Sequence, residues 1–298
     1  MNALALAAML ATVAAATHAA GAVIQERLAA RYEGGATPAS HRPFGFGWVL
    51  LHRRWWIAVA LAGAASLLHV WALRYGPLTV VQPLGALTLV LALPLRAAVA
   101  GHRVGPDEWR GAALTVAGLA ALLLLTASGK PAHALTAGQV WTLALVTAGM
   151  LAVFTGGALA TIRMTARSLC YAVAAGIAFG VASAITQSVV VRAAGDGLPG
   201  LLGPASLVVL GFAATGLLLA QAAYRGGLGA PLATLILVNP VAAGLIGVTL
   251  LGERFVAGPL GAAAAVAAAL VAAHGVTMLA RPAAVEQSGW APATLGVR

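Results

Sequence analysis

The chain has 298 residues, 61% of them hydrophobic and 8% charged, with a mean hydropathy of +0.95. A soluble domain carries about 25% charged residues, so this composition excludes a separate soluble domain and points to a polytopic membrane protein. The net charge of +10 does not indicate nucleic acid, because the basic residues sit at the ends of apolar runs instead of forming one patch.

Nine apolar runs follow one another: 2–24, 55–73, 77–99, 109–127, 138–160, 168–191, 203–223, 229–251 and 258–280. Each is close to the length that a membrane-crossing helix needs. Polar or turn-forming segments separate them, among them "QERLAARYEGGATPASHRPFG" (25–45), "GHRVGPDEWRG" (101–111) and "AGDGLPG" (194–200). No positive charge precedes the first run, and Arg27 and Arg31 follow it closely. It therefore reads as a first transmembrane helix with an outside N-terminus, not as a signal peptide. Of the 17 basic residues, one set of alternate connections takes only Arg74, Lys130, Arg192 and Arg254, and the other takes the rest. The rich side is expected in the cytoplasm, with the C-terminus there too.

The third and eighth runs are unusual. "RYGPLTVVQPLGALTL" (74–89) and "YRGGLGAPLATLILVNP" (224–240) hold Pro83 and Pro94 in one run, Pro231 and Pro240 in the other. "ALRYG" (72–76) is echoed by "AAYRG" (222–226), and the runs end in "GHR" (101–103) and "GER" (252–254). These turns fall on opposite faces in the nine-span topology, so the repeat is inverted, as in many secondary transporters. Chance likeness between alanine- and glycine-rich helices is the alternative. The expected halves are 1–127, with four helices and a long cytoplasmic loop at 25–54, and 128–281, with five. The tail at 282–298 is expected to be disordered and cytoplasmic.

A proline inside a span frees a backbone carbonyl, which must find protein or a wet cavity. Gln82 and Asn239, each directly before a proline, are therefore candidates for a substrate cavity, with Pro83 and Pro240 shaping the kinks. His69 is an ionisable group at membrane depth and joins them. His18 stands open as its partner or as a packing residue. Tyr75 and Gln221 are expected near the cavity mouths. A self-satisfied kink and simple helix–helix hydrogen bonds remain alternative readings. No Asp or Glu lies deep in a span, which disfavours a carboxylate proton relay and a carboxylate cage for Mg²⁺. Neither HExxH nor GxSxG occurs, and no enzymatic role, cofactor or bound metal is expected. "GIAFG" (176–180) permits close helix packing within the chain or between two copies, which leaves a homodimer open.

Paired halves, a late-helix proline and a "GER" turn resemble the drug/metabolite transporter superfamily, whose repeat is the EamA domain. "GFGW" (45–48), "RRWW" (53–56), "GPLTVVQPLGALTL" (76–89) and "AQAAYRGGLGAPLATLILVNPV" (220–241) look most like its NIPA-like branch. The resemblance covers most of residues 1–280. It implies an all-α fold of nine helices with an inverted repeat, in the cytoplasmic membrane. Eukaryotic members of the branch are described as magnesium transporters. Where that branch often has a Glu and an Asn in the second helix, this chain has Ser66 and His69. The resemblance therefore implies alternating-access transport of a small organic metabolite, with Mg²⁺ transport and a non-transporting scaffold or receptor as alternatives.

Overall fold

The computed structural model describes residues 3–34, 50–75, 84–101, 103–125, 135–196, 203–250 and 258–281. Among these, nine α-helices follow in order: α1 (Ala3–Gly34), α2 (Arg53–Tyr75), α3 (Leu87–Ala100), α4 (Pro106–Leu125), α5 (Ala137–Ala160), α6 (Met164–Asp196), α7 (Pro204–Ala223), α8 (Gly229–Leu250) and α9 (Gly258–Leu279). A single 3₁₀ turn, Tyr224–Gly226, joins α7 to α8. Eight of the helices are long and apolar enough to cross a membrane, and α3 is a shorter apolar helix. Helix is the form in which an apolar segment can satisfy its own backbone within hydrocarbon. The hydroxyls embedded in these helices follow the same rule. Those of Thr12, Thr17, Ser66, Thr115, Thr155, Thr186, Thr215, Thr234 and Thr249 each donate to a carbonyl four residues back.

Large apolar side chains face outward along whole helices, including Leu67 and Trp71 on α2, Leu145, Val153 and Leu159 on α5, and Leu207 and Leu210 on α7. Such surfaces suit lipid and not water. Arg53, Arg54, Trp55 and Trp56 open α2, and the two indoles meet edge to face with centroids 4.9 Å apart. A basic and aromatic cluster of this kind suits the headgroup level.

The helices follow the order read from sequence, but several ends move. α1 continues ten residues past the expected end, to Gly34. "QERLAARY" is made largely of good helix formers, Leu28 and Ala29 are buried, and Glu26 pairs with Arg96. The expected loop at 25–54 is thus helical over its first third. α6 begins at Met164 and runs to Asp196, longer at both ends than expected. The described part of the third span begins with Leu84 and Gly85 in helical form, then a turn at Ala86 before α3, and Gln82 and Pro83 lie outside the described residues, as do "GER" and the tail. Pro94 and Pro240 stand inside helices. Pro231 instead sits in the first turn of α8, where its missing N–H costs nothing; it makes no kink.

α1 packs along α2, α6 along α7 and α8, and α4 along α9. The α4–α9 seam follows from residue size. On α9 the buried residues Gly261, Ala265, Ala268, Ala272 and Gly275 recur at alternating steps of four and three. On α4, Gly111, Thr115, Gly118 and Leu122 do the same. Small residues at that spacing let two backbones touch. A Cβ on Gly111 would lie 2.9 Å from Gly275 O, and one on Gly118 would lie 2.6 Å from Ala268 O. α6 is the most buried span, and the first third of α8, Gly229–Leu235, is buried throughout.

Glu26, Arg96 and Glu108 gather at one end of the bundle. Arg96 reaches Glu26 at 3.2 Å and Glu108 at 3.5 Å, and Gly105 N donates to the second oxygen of Glu108 at 3.0 Å. This ties α1 to α3 and to the start of α4. Removing the cation leaves two carboxylates with little to balance them, so Arg96→Met should cost about 1–3 kcal/mol and lower the melting temperature by several degrees. Glu26→Gln in the same chain should recover part of the loss. Equal melting temperatures for Arg96→Met and the parent, measured in detergent at low salt, would show that the cluster is solvated decoration.

Candidate functional site

A cavity lies where α1 and α2 meet α6, α7 and α8. It is lined by His18, Gly21, Ala22 and Gln25 from α1, Ala58 and Ala62 from α2, Phe179 from α6, Leu217 and Ala220 from α7, Tyr224 from the 3₁₀ turn, and Leu235 from α8. Its free volume is about 20 Å³, room for roughly one water molecule. Gly21 lets the α1–α2 wall close, since a Cβ there would stand 3.3 Å from Ala58 O.

Beside the cavity the ends of three helices are tied together. Ser168 Oγ, near the start of α6, donates to Ala223 O at 2.6 Å and so fixes the end of α7. The chain then turns through Tyr224–Gly226, and Gly227, at a φ of 96°, takes the left-handed backbone that starts α8. Tyr224 is held buried against α1 and α6 by this turn. Gln221 is fully buried beside it, and its Nε2 donates to Gln25 O at 2.8 Å. That bond crosses from α7 to α1. The Gln221 Oε1 atom is buried and has no partner among the described residues, and neither does Trp55 Nε1. Trp55 packs with Leu28, Val59 and Leu218, one turn or less from Gln25, Ala58 and Gln221. Leaving a buried polar atom unpaired costs about 1–3 kcal/mol, and such atoms call for an explanation.

The sequence candidates distribute unevenly around this cavity. His18 is in its wall, and His69 is not among the lining residues. The His69 ring stands 3.6 Å from where a Cβ on Gly85 would be, at the head of the third span. Gln221 is not at a mouth but in the interior, tied to α1. Asn239 is not among the lining residues; its carbonyl and amide back onto Gly180 and Gly176 of α6. Tyr75 is exposed at the end of α2. Ser66 is exposed and its hydroxyl is spent on Ala62 O. Gln25 was missed by sequence reasoning because it opens a segment that reads as a loop; the long helix propensity of "QERLAARY" was the available signal. Among the described residues, no three His, Cys, Asp or Glu side chains converge as metal ligands would.

Fold and cavity define an all-helical, multi-pass membrane protein with a small, mostly apolar cavity where five of its helices meet. Its similarity to known proteins is narrow. The chain is 34% identical over 128 residues to an uncharacterized protein of Corynebacterium glutamicum, a match covering 42% of this chain and 42% of that protein. The chain thus matches the relative over well under half of its length. No protein-family profile and no solved structure matches the chain.

Proposed function

We propose that this protein is a secondary transporter of the drug/metabolite transporter type, moving a small organic solute across the cytoplasmic membrane by alternating access between two inverted halves. The observation that carries the reading is the pairing of helix contacts. Number the first half α1–α4 and the second α6–α9. α1 packs on α2 as α6 packs on α7, α1 on α3 as α6 on α8, and α3 on α4 as α8 on α9. The counterparts α4 and α9 also pack on each other, as do α3 and α8. Elements that meet their own counterpart are what a pseudo-two-fold axis between repeats produces. α5 has no counterpart in this scheme and packs mainly on α6.

The cavity supports the same reading, because it is walled by α1 and α2 from one half and α6, α7 and α8 from the other. Substrate sites of inverted-repeat transporters lie at such a junction. Orientation follows from the basic residues: the end of the bundle with Arg96, Arg163, Arg167 and Arg225 is cytoplasmic, and the N-terminus is outside. A homodimer is compatible with this arrangement.

The test is a flux screen with purified protein in liposomes. Labelled small organic solutes and Mg²⁺ are offered at equal concentration. Saturable organic-solute flux above protein-free liposomes is the expected result. Mg²⁺ flux without organic-solute flux would replace this reading with that of a divalent-cation transporter. No flux of either would favour a scaffold or receptor.

A further inference from the structure

We propose that the corner where α1 ends and α2 begins binds an anionic phospholipid, its headgroup phosphate held by Arg53 and Arg54 and an acyl chain laid along the outer face of α2. The site is independent of which solute the protein carries.

The register of the α1–α2 pair gathers the charge. Gly21 faces Ala58 and Leu28 packs on Trp55, so the two helices run antiparallel. Arg27 and Arg31, near the end of α1, are then level with Arg53 and Arg54 at the start of α2. Arg31, Arg53 and Arg54 are exposed, and Arg27 is half-buried. The whole chain has seven acids to set against them. Glu26 and Glu108 are taken by Arg96, and Asp107 by Arg110. Asp196 and Glu253 belong to the opposite face in the nine-span order, which leaves Glu33 and Glu286. Residues 35–49, which join the two helices, hold no acid and add Arg42. Guanidiniums at the headgroup level attract anionic lipid, and their planar fork fits a phosphate.

A soluble anion uses only that charge. The face of α2 offers more. Helical spacing sets Arg53, Trp56, Ala60, Gly63, Leu67 and Trp71 on one side, and all six are exposed. Trp56 is 55% exposed, yet its ring is fixed: Nε1 donates to Leu50 O at 2.9 Å, and Trp55 abuts it edge to face. Beyond it the face is low at Ala60 and Gly63, and a Cβ on Gly63 would meet nothing within 4 Å. Leu67 and Trp71 then stand out again. The rise from Trp56 to Leu67 is about 16 Å, room for the upper part of an acyl chain. A cation, an interfacial ring and an apolar trough follow one another along one helix, as headgroup, glycerol and tail do in a lipid.

The purified chain in detergent is offered dioleoylphosphatidylglycerol, dioleoylphosphatidylcholine or glycerol 1-phosphate. Binding is read as a concentration-dependent rise in melting temperature. Phosphatidylglycerol should half-saturate at about tenfold lower concentration than phosphatidylcholine at low salt. Glycerol 1-phosphate should give no rise at the same concentrations. Arg53→Gln with Arg54→Gln should bring the two lipids within about twofold of each other. Gly63→Leu fills the trough and should weaken phosphatidylglycerol about threefold with both arginines intact. Arg163→Gln, at an exposed arginine of the α5–α6 connection, should change neither lipid. All these positions are exposed, so the lipid-free melting temperatures should match the parent. Equal half-saturation by the two lipids, or a preference that survives the double replacement, overturns the site. A preference lost equally in Arg163→Gln also overturns it, since general surface charge then suffices. A rise with glycerol 1-phosphate equal to that with phosphatidylglycerol replaces the lipid with a soluble anion. Unchanged binding in Gly63→Leu overturns the place given to the acyl chain.

Discussion

Gly275→Val should prevent the protein from being recovered folded, or lower its melting temperature by well over 10 °C if some is recovered. A Cβ at this position would stand 2.5 Å from Gly111 O, 2.5 Å from Thr115 Oγ1 and 2.6 Å from Thr115 N. Two of these are backbone atoms and cannot turn aside. The helix must move, and the neighbouring contacts at Gly118, where a Cβ would be 2.6 Å from Ala272 N, move with it. Ordinary overpacking costs about 1–3 kcal/mol; a branched side chain driven into two backbone atoms of α4 should exceed that range, since relief means opening the whole α4–α9 seam. Thr115 adds to the loss, because its hydroxyl spans the seam towards Ala272 O at 3.4 Å while bonding Gly111 O. The comparison is Gly149→Ala on α5, which has nothing within 4 Å of its added Cβ. There the change should be neutral or slightly stabilising, by up to about 1 kcal/mol, through helix propensity alone. Size-exclusion chromatography and thermal unfolding in detergent read both. A Gly275→Val protein that elutes and melts like the parent would mean that α4 and α9 do not pack this closely.

Hydropathy made the helices legible, because a run of apolar residues long enough to span hydrocarbon leaves few alternatives to helix. It did not show where α1 ends. Polarity marks a loop only if the polar groups have no partner inside, and Glu26 has Arg96, from a helix seventy residues on. The same limit explains Gln221. Its place near a helix end suggested a mouth, yet its amide bonds a carbonyl 196 residues away in sequence, and no local pattern encodes that bond. The 4–3 spacing of small residues on α4 and α9 was present in the sequence all along. In an alanine-rich chain it has little contrast, so only the packing reveals which of many small-residue stripes is a seam. His18 is the reverse case: one ionisable residue in an apolar helix, conspicuous by type, and in the structure a cavity wall.

The second large effect is expected where α6 crosses α8, at Gly180→Ala. The sequence motif "GIAFG" meets α8 around Pro240. A Cβ on Gly180 would lie 2.6 Å from Asn239 O and 2.7 Å from Ala242 Cβ, and one on Gly176 would lie 2.7 Å from Val238 Cβ. The glycines and the proline belong to one arrangement. Pro240 has no N–H to give Ile236 O and its ring crowds the preceding turn; α6 makes its close approach over the same stretch, Val238–Ala243. α8 is anchored by its first two turns, Gly229–Leu235, which are buried throughout, so it can retreat from an added methyl only by straining that packing. Gly180→Ala should therefore cost about 2–3 kcal/mol despite the better helix propensity of alanine. Ala242→Gly in the same chain removes one of the two clashes and should recover part of the loss, while the clash with Asn239 O persists, so recovery should stop short of the parent. Gly244→Ala, on α8 but with nothing within 4 Å of the added Cβ, should be neutral or slightly stabilising. The coupling between positions 180 and 242 is the decisive quantity, since residues that touch depart from additivity and distant ones do not. Additive losses would place the two helices too far apart for this packing. Positive coupling would fix the Pro240 segment of α8 against α6, and with it the position of Leu235 in the cavity wall, five residues before the proline.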